Sequence, residues 1–185
     1  MKRIIQYIYR IFSIYKLYLY EVDLETVRKV EHNITCQAKH VKFLRIDNDN
    51  YKVIPQISGM LESNVRRMLS YHDFGVYICV DEKPVGYGWV KQEGSKDAFF
   101  SFVNCAYLCR FFIHPDYRGM KLYPLTINYL INEFKHKYPK FYIAIEHKNI
   151  SSIRGAKKVG FRQINDLTFV RILRYTLNKY KIRTL

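Results

Sequence analysis

The sequence predicts a mixed α/β domain of the α+β kind, in which helices flank a mostly antiparallel, twisted sheet. Short strands, alternating or rich in aromatics, recur along most of the chain and are joined by brief polar turns, which makes neighbours antiparallel. One clear helical stripe, Tyr123, Ile127, Leu130, Ile131 and Phe134, lies between two apolar strands, and a strand, helix, strand succession makes a parallel crossover. With 185 residues, 49% hydrophobic and 16% aromatic, the chain has the material for one sizeable core and shows no compositional break. The expected organisation is a helix and strand extension over residues 1–40, followed by one domain over 41–185.

Taken in order, Ile4, Ile5, Ile8, Ile11, Phe12 and Tyr15 share one helical face from which Lys2, Arg3 and Arg10 largely stand off, and KLYLYEV (16–22) reads as a strand. Residues 41–46 alternate apolar with basic, a half-buried strand that ends at the turn DNDN of 47–50. Helical spacing of Leu61, Val65, Met68 and Leu69 predicts a helix from about Met60 to Tyr71. Residues 74–80 and 85–91 form a hairpin across Asp81 to Pro84. The apolar run 99–113 predicts a central strand with an interruption near Asn104, and Pro124 belongs in the first turn of the helix that follows, which sets its start near Lys121. A strand over 141–146, a short helix over 150–159 and a closing strand pair, 161–164 with 168–173, complete the chain.

Lys and Arg outnumber Asp and Glu by 31 to 16, a formal charge of +15, so the surface attracts polyanions: phosphate-bearing cofactors, anionic lipid or nucleic acid. Basic and aromatic residues interleave in KFYIAIEHK and RILRYTLNKYKIR, but no nucleic-acid motif is present, and nucleic acid is not expected as a partner. The N-terminal face would pack on the domain's own core, lie against an anionic membrane or join two copies as a homodimer. Cys36, Cys79, Cys105 and Cys109 form no C-x-x-C pair and sit among apolar residues, which fits buried thiols in a reducing cytoplasm, with no metal centre.

The segment from His114 to Tyr123 links the central strand to the long helix. A turn in that place exposes unpaired amides and the positive helix end, a site for a pyrophosphate. Together, HPDYRGMKLY (114–123) and the later NISSIRGAKKVGF (149–161) resemble two motifs of the GNAT superfamily of acyl-coenzyme A-dependent N-acyltransferases. The first departs from the family signature, since Lys121 and Tyr123 stand where two small residues are usual. The resemblance covers about residues 41–173 and implies a sheet whose central parallel strands, ending near Ile113 and Glu146, splay to admit the pantetheine arm.

On that resemblance acetyl-coenzyme A is the co-substrate, and the acceptor is a primary amine. The backbone of Arg118, Gly119, Met120, Lys121, Leu122 and Tyr123 would hold the pyrophosphate, Phe112 and Ile113 the pantetheine, with Asn149 and Ser152 near its amides. The form R-G-x-x-L-Y-P looks like members acting on amino sugars in surface-polysaccharide pathways. Attack on the thioester needs a neutral amine, so a general base is expected, with Glu146 first, then His114, then Cys109. The Tyr that many members use as the acid is replaced by Ala156, leaving Tyr123 or Tyr107 as substitutes. A GNAT-like fold that binds coenzyme without turnover is the alternative.

Overall fold

The computed structural model describes residues 12–29, 40–95, 100–172, 175–176 and 180–182. Its elements are β1 (Phe12–Asp23), β2 (Val41–Arg45), α1 (Val53–Ser58), α2 (Glu62–Ser70), β3 (Phe74–Val80), β4 (Lys83–Lys91), β5 (Phe100–Phe102), β6 (Cys105–Ile113), α3 (Leu122–Phe134), β7 (Lys140–Glu146), α4 (Ile150–Val159), β8 (Arg162–Ile172), β9 (Tyr175–Thr176) and β10 (Tyr180–Ile182). Eight of these strands form one sheet in the order β2-β3-β4-β6-β7-β1-β8-β9, while β5 and β10 pair separately. Within the large sheet, β6 and β7 are the parallel neighbours, and the expected interruption is present at Asn104, held at φ 53° between β5 and β6.

Three expectations change. Phe12 and Tyr15 do not belong to a helix: they stand in β1, and the rest of the helical stretch lies outside the described residues. The physical reason is that β1 has a partner on each side, β7 across Leu17 to Asp23 and β8 across Phe12 to Glu21, so its aromatic and β-branched residues gain ladder bonds on both edges. Residues 12–23, within the stretch assigned to the extension, therefore supply an interior strand of the main sheet. The closing pair is a single strand, β8: Leu19 faces Asn165 while Tyr20 faces Gln163, so Ile164 is an extra residue absorbed as a bulge, and Asn165 and Asp166 remain in the strand. An additional helix, α1, precedes Met60 and ends at Gly59 in the left-handed conformation, φ 70°.

Alternation along the strands divides the core into two layers. Leu19, Tyr77, Trp89, Tyr107 and Tyr142 face α1 and α2 with Ile54, Val65 and Met68. Tyr20, Val76, Leu108, Phe141 and Ile143 face α3 and α4 with Ile127, Leu130, Ile153 and Val159. Cys79, Cys105 and Cys109 are buried and stand outside any disulfide among the described residues, and burial pushes the Cys105 thiol up to about 12.

At the end of the sheet away from the β6 C-terminus, Glu21 ties three strands together. Its carboxylate, 8% exposed, accepts from the Tyr142 hydroxyl at 2.8 Å and from Arg162 at 3.0 Å, and Arg162 also reaches Asp23 at 3.1 Å. Burial alone would raise the Glu21 carboxyl, but the bonds from Tyr142 and Arg162 and the charge of Lys140 outweigh it and hold the group below its ordinary value. Such a group stabilises the fold above its unfolded pKa, and that contribution is lost as pH falls through the lowered folded value. Glu21→Gln should therefore cost about 1–3 kcal/mol at pH 7, with the gap to wild type closing in acid. Urea titrations at both pH values check this, and a gap that persists at low pH would count against it.

Candidate active site

The parallel ladder of β6 and β7 runs from Cys105 opposite Lys140 to Leu108 opposite Ile143 and stops there. Beyond it, β6 stays with β4 and β7 stays with β1, so the two strands part. A bulge in β6 begins the parting. Trp89 faces Cys109 and Tyr87 faces Phe112, which sets Gly88 against both Arg110 and Phe111, and Arg110 holds φ 52°. Gly88 makes the bulge possible, since a Cβ there would lie 2.6 Å from the Phe111 ring. Tyr107, buried on the opposite face, is hydrogen-bonded to the Ala144 backbone just past the end of the ladder, and burial raises its phenol well above the ordinary value.

After β6 the chain makes one 3-10 turn, Pro115–Tyr117, then a turn with Gly119 at φ 84° and Lys121 at φ 57° as the N-cap of α3. Lys121 pays about 1–3 kcal/mol in backbone strain for a conformation natural to glycine. Among the described residues, the amides of Gly119, Met120, Lys121, Leu122 and Tyr123 have no backbone acceptor, as the N-terminus of a helix requires. Arg118 braces the turn by donating from Nε to the Ile113 carbonyl at 3.2 Å. Pro124 falls in the first turn of α3, as its missing N–H demands.

This turn forms one wall of a cleft of about 560 Å³. Phe112 and Ile113 contribute from β6; Arg118, Gly119 and Lys121 from the turn; Leu122 and Tyr123 from the start of α3; Asn149 and Ser152 from the start of α4. Met120 stands apart from these: its side chain packs against the core group of Ile78, Val80, Val85 and Leu122. Of the catalytic candidates Glu146, His114, Cys109, Tyr107 and Tyr123, Tyr123 lines the cleft. Glu146 is exposed at the end of β7, opposite Leu17 of β1, and His114 turns toward Asp116, with Nδ1 3.5 Å from its carboxylate.

Tyr123 is held on three sides. Phe111 meets it edge-on, with centroids 5.0 Å apart and planes at 87°, the Ser152 side chain stands near its hydroxyl, and Gly155 lies beneath the ring, where a Cβ would come within 2.5 Å. Burial raises the phenol well above its ordinary value, so it keeps its proton at neutral pH. Asn149 caps α4, its side-chain oxygen accepting from the Ser152 amide at 3.2 Å and from the Ser151 hydroxyl at 3.0 Å. Ala156, at the family's usual Tyr position, is fully buried in the core.

Sequence reading missed Phe111, Arg154, Gly155 and Lys158, all of which line the cleft. A usable signal existed: Ser151, Arg154 and Lys158 recur at helical spacing on α4. The charged side chains lining the cleft, Arg118, Lys121, Arg154 and Lys158, are all cationic. Its electrostatics therefore favour an anionic ligand, at the end of a helix already suited to one.

Among the described residues no helix is long and apolar enough to cross a membrane. In fold, the chain is similar to a GNAT-family structure from Novosphingobium aromaticivorans DSM 12444, with a TM-score of 0.63 and 15% identity over 85% of this chain and 63% of that one. It is likewise similar to an acetyltransferase of the GNAT family from Colwellia psychrerythraea, with a TM-score of 0.62 and 11% identity over 87% and 56%. A third similar structure is AAC(6')-Iy in complex with the bisubstrate analogue CoA-S-monomethyl-acetylneamine, with a TM-score of 0.56 and 11% identity over 68% of this chain and 93% of that one. The chain thus spans less than two thirds of the length of the first two. No curated protein matches it by sequence. The model of the acetyltransferase (GNAT) family matches residues 39–161, which contain both motifs, the parted strands and the cationic cleft, and the chain belongs to that family.

Proposed function

We propose that this protein transfers an acetyl group from acetyl-coenzyme A to a primary amine, with amino sugars as the first acceptors to test. The observation that supports this most is the row of amides from Gly119 to Tyr123 that have no backbone acceptor among the described residues, set in a cleft whose charged side chains are all cationic. That donor set fits a pyrophosphate. In this reading the amides of Gly119 to Tyr123 hold the pyrophosphate, Met120 through its amide alone, while the Arg118 amide is already bonded to the Pro115 carbonyl at 3.1 Å and its side chain braces the turn. The backbone of Phe112 and Ile113 runs along the pantetheine, with Asn149 and Ser152 beside its amides. A neighbouring solved structure, AAC(6')-Iy, carries a coenzyme-A bisubstrate analogue, which supports the same ligand here.

When bound, the coenzyme's thioester supplies the activated acetyl group. The chain's part is to orient the ligand and manage protons. Glu146, open to solvent at the end of β7, is the leading candidate to take the ammonium proton through water, with His114 as the second. Tyr123 retains its proton and is the candidate donor to the departing thiolate. A second reading, coenzyme binding without turnover, is favoured by Ala156 in place of the family's Tyr and by Lys121 and Tyr123 in place of small residues.

Saturating acetyl-coenzyme A should raise the melting temperature by about 5–10 °C, the size expected at roughly a hundredfold excess over Kd for a domain of this length. Thiol release with an amine panel that includes amino sugars then measures turnover. Glu146→Gln should lower kcat by about a hundredfold while leaving the melting shift intact. A shift without thiol release from any amine selects the binding-only reading, and no shift at millimolar ligand removes both.

A further inference from the structure

The α4 wall of the cleft carries charge that the turn does not account for. Arg154 and Lys158 are one helical turn apart, line the cleft together and are exposed. Neither has a carboxylate partner among the described residues, although Arg–Glu and Lys–Asp pairs form readily elsewhere on this surface, as at Glu62 with Arg66 and Asp23 with Lys140. Two like charges at i, i+4 repel each other, so the arrangement costs the helix a little unless an anion lies between them. Nor do they serve the helix dipole in common: Lys158 is in the last turn, where a cation is favourable, but Arg154 is mid-helix.

A pyrophosphate seated on the amides of residues 119–123 would use the α3 side of the cleft. Coenzyme A carries a third phosphate, on the 3′ position of its ribose, whose charge also needs an acceptor. We propose that Arg154 and Lys158 form a second phosphate subsite on α4 that takes this 3′-phosphate, so that the protein distinguishes coenzyme A from its 3′-dephospho form. The inference rests on the coenzyme reading above. The guanidinium offers a planar donor fork and the ammonium a point charge, a pairing suited to a dianionic monoester that remains partly in water.

The test compares binding of coenzyme A and dephospho-coenzyme A by calorimetry at low salt, in the wild type and in an Arg154→Gln, Lys158→Gln double variant. The wild type should bind coenzyme A about tenfold more tightly, the size of one charge-assisted contact at a partly exposed site. In the double variant that preference should fall below about threefold, while dephospho-coenzyme A binds as it does to the wild type. The preference should also shrink as salt is raised. Equal binding of the two ligands by the wild type overturns the subsite, as does a preference that survives the double substitution. If neither ligand binds the wild type, the coenzyme reading itself fails, a result distinct from equal binding. Both side chains are exposed, so the unliganded melting temperature of the variant should match wild type and serves as the folding control.

Discussion

Gly155→Val should abolish most of the stabilisation conferred by acetyl-coenzyme A. Glycine inside a helix costs roughly 1 kcal/mol relative to alanine, so its presence in the middle of α4 calls for a reason in packing. The reason is the Tyr123 ring, whose Cδ1 and Cε1 would lie 2.5 and 2.8 Å from a Cβ at position 155. The ring cannot withdraw, because Phe111 stands at its edge and the buried Pro124 follows it in the first turn of α3. A valine would drive the phenol into the cleft between the turn and α4, where the coenzyme is expected. The fold itself should lose only about 1–3 kcal/mol, the usual cost of overpacking. Turnover should fall by roughly a hundredfold or more, the scale of an ångström-level displacement of a binding element. Adding Tyr123→Ala should restore much of the melting shift, because the two changes act on one contact and are not additive. A Gly155→Val protein that binds coenzyme like wild type would show that the ring does not border the ligand.

The second large effect concerns stability. Lys91 and Asp73 form an ion pair with side chains 3% and 1% exposed and Nζ 2.5 Å from Oδ2, and the Ser95 hydroxyl donates to the other Asp73 oxygen at 2.9 Å. Asp73 also joins α2 to β3, its amide donating to the Met68 carbonyl at 3.0 Å. Removing one member of a buried pair strands the other charge in a medium that solvates it poorly, at a cost of about 3–5 kcal/mol. Asp73→Ala should therefore lower the melting temperature by about 10 °C in a chain of this length. Asp73→Asn combined with Lys91→Met should be markedly less damaging than the sum of the single changes, since no unpaired charge remains. Denaturant titration of the four proteins checks this; additive single effects would mean that the pair is not coupled.

Much of the site was legible because its chemistry is local. His114 to Tyr123 and Asn149 to Phe161 are contiguous, and a glycine or proline there states its backbone role directly: Gly119 at φ 84°, Pro124 in the first turn of α3 and Asn149 as a cap. The wall that faces the turn was harder to read. Gly155 looks like a weak point in a helix until the Tyr123 ring is seen resting on it, and Arg154 and Lys158 look like solvated charges until the cleft brings them opposite the turn. Lys91 reads as the polar end of a strand, and only the fold around it encloses it with Asp73.

The N-terminal strand shows where local pattern gives out. Apolar residues from Ile4 to Tyr15 suit a helical face, while the aromatics around them suit a strand equally well, and nothing in the segment itself chooses. The choice is made by the edges of β7 and β8, which offer β1 hydrogen bonds on both sides and come from residues more than a hundred positions away. By itself, then, the sequence determined the order of strands and helices from β2 to α4 apart from α1, the crossover that makes β6 and β7 parallel and the two motifs of the turn and cap, because each depends on neighbours in the chain. The tertiary structure decided the strand state of residues 12–15, the point at which β6 and β7 part and the closure of the cleft by α4, because each depends on surfaces that exist only once distant segments have packed together.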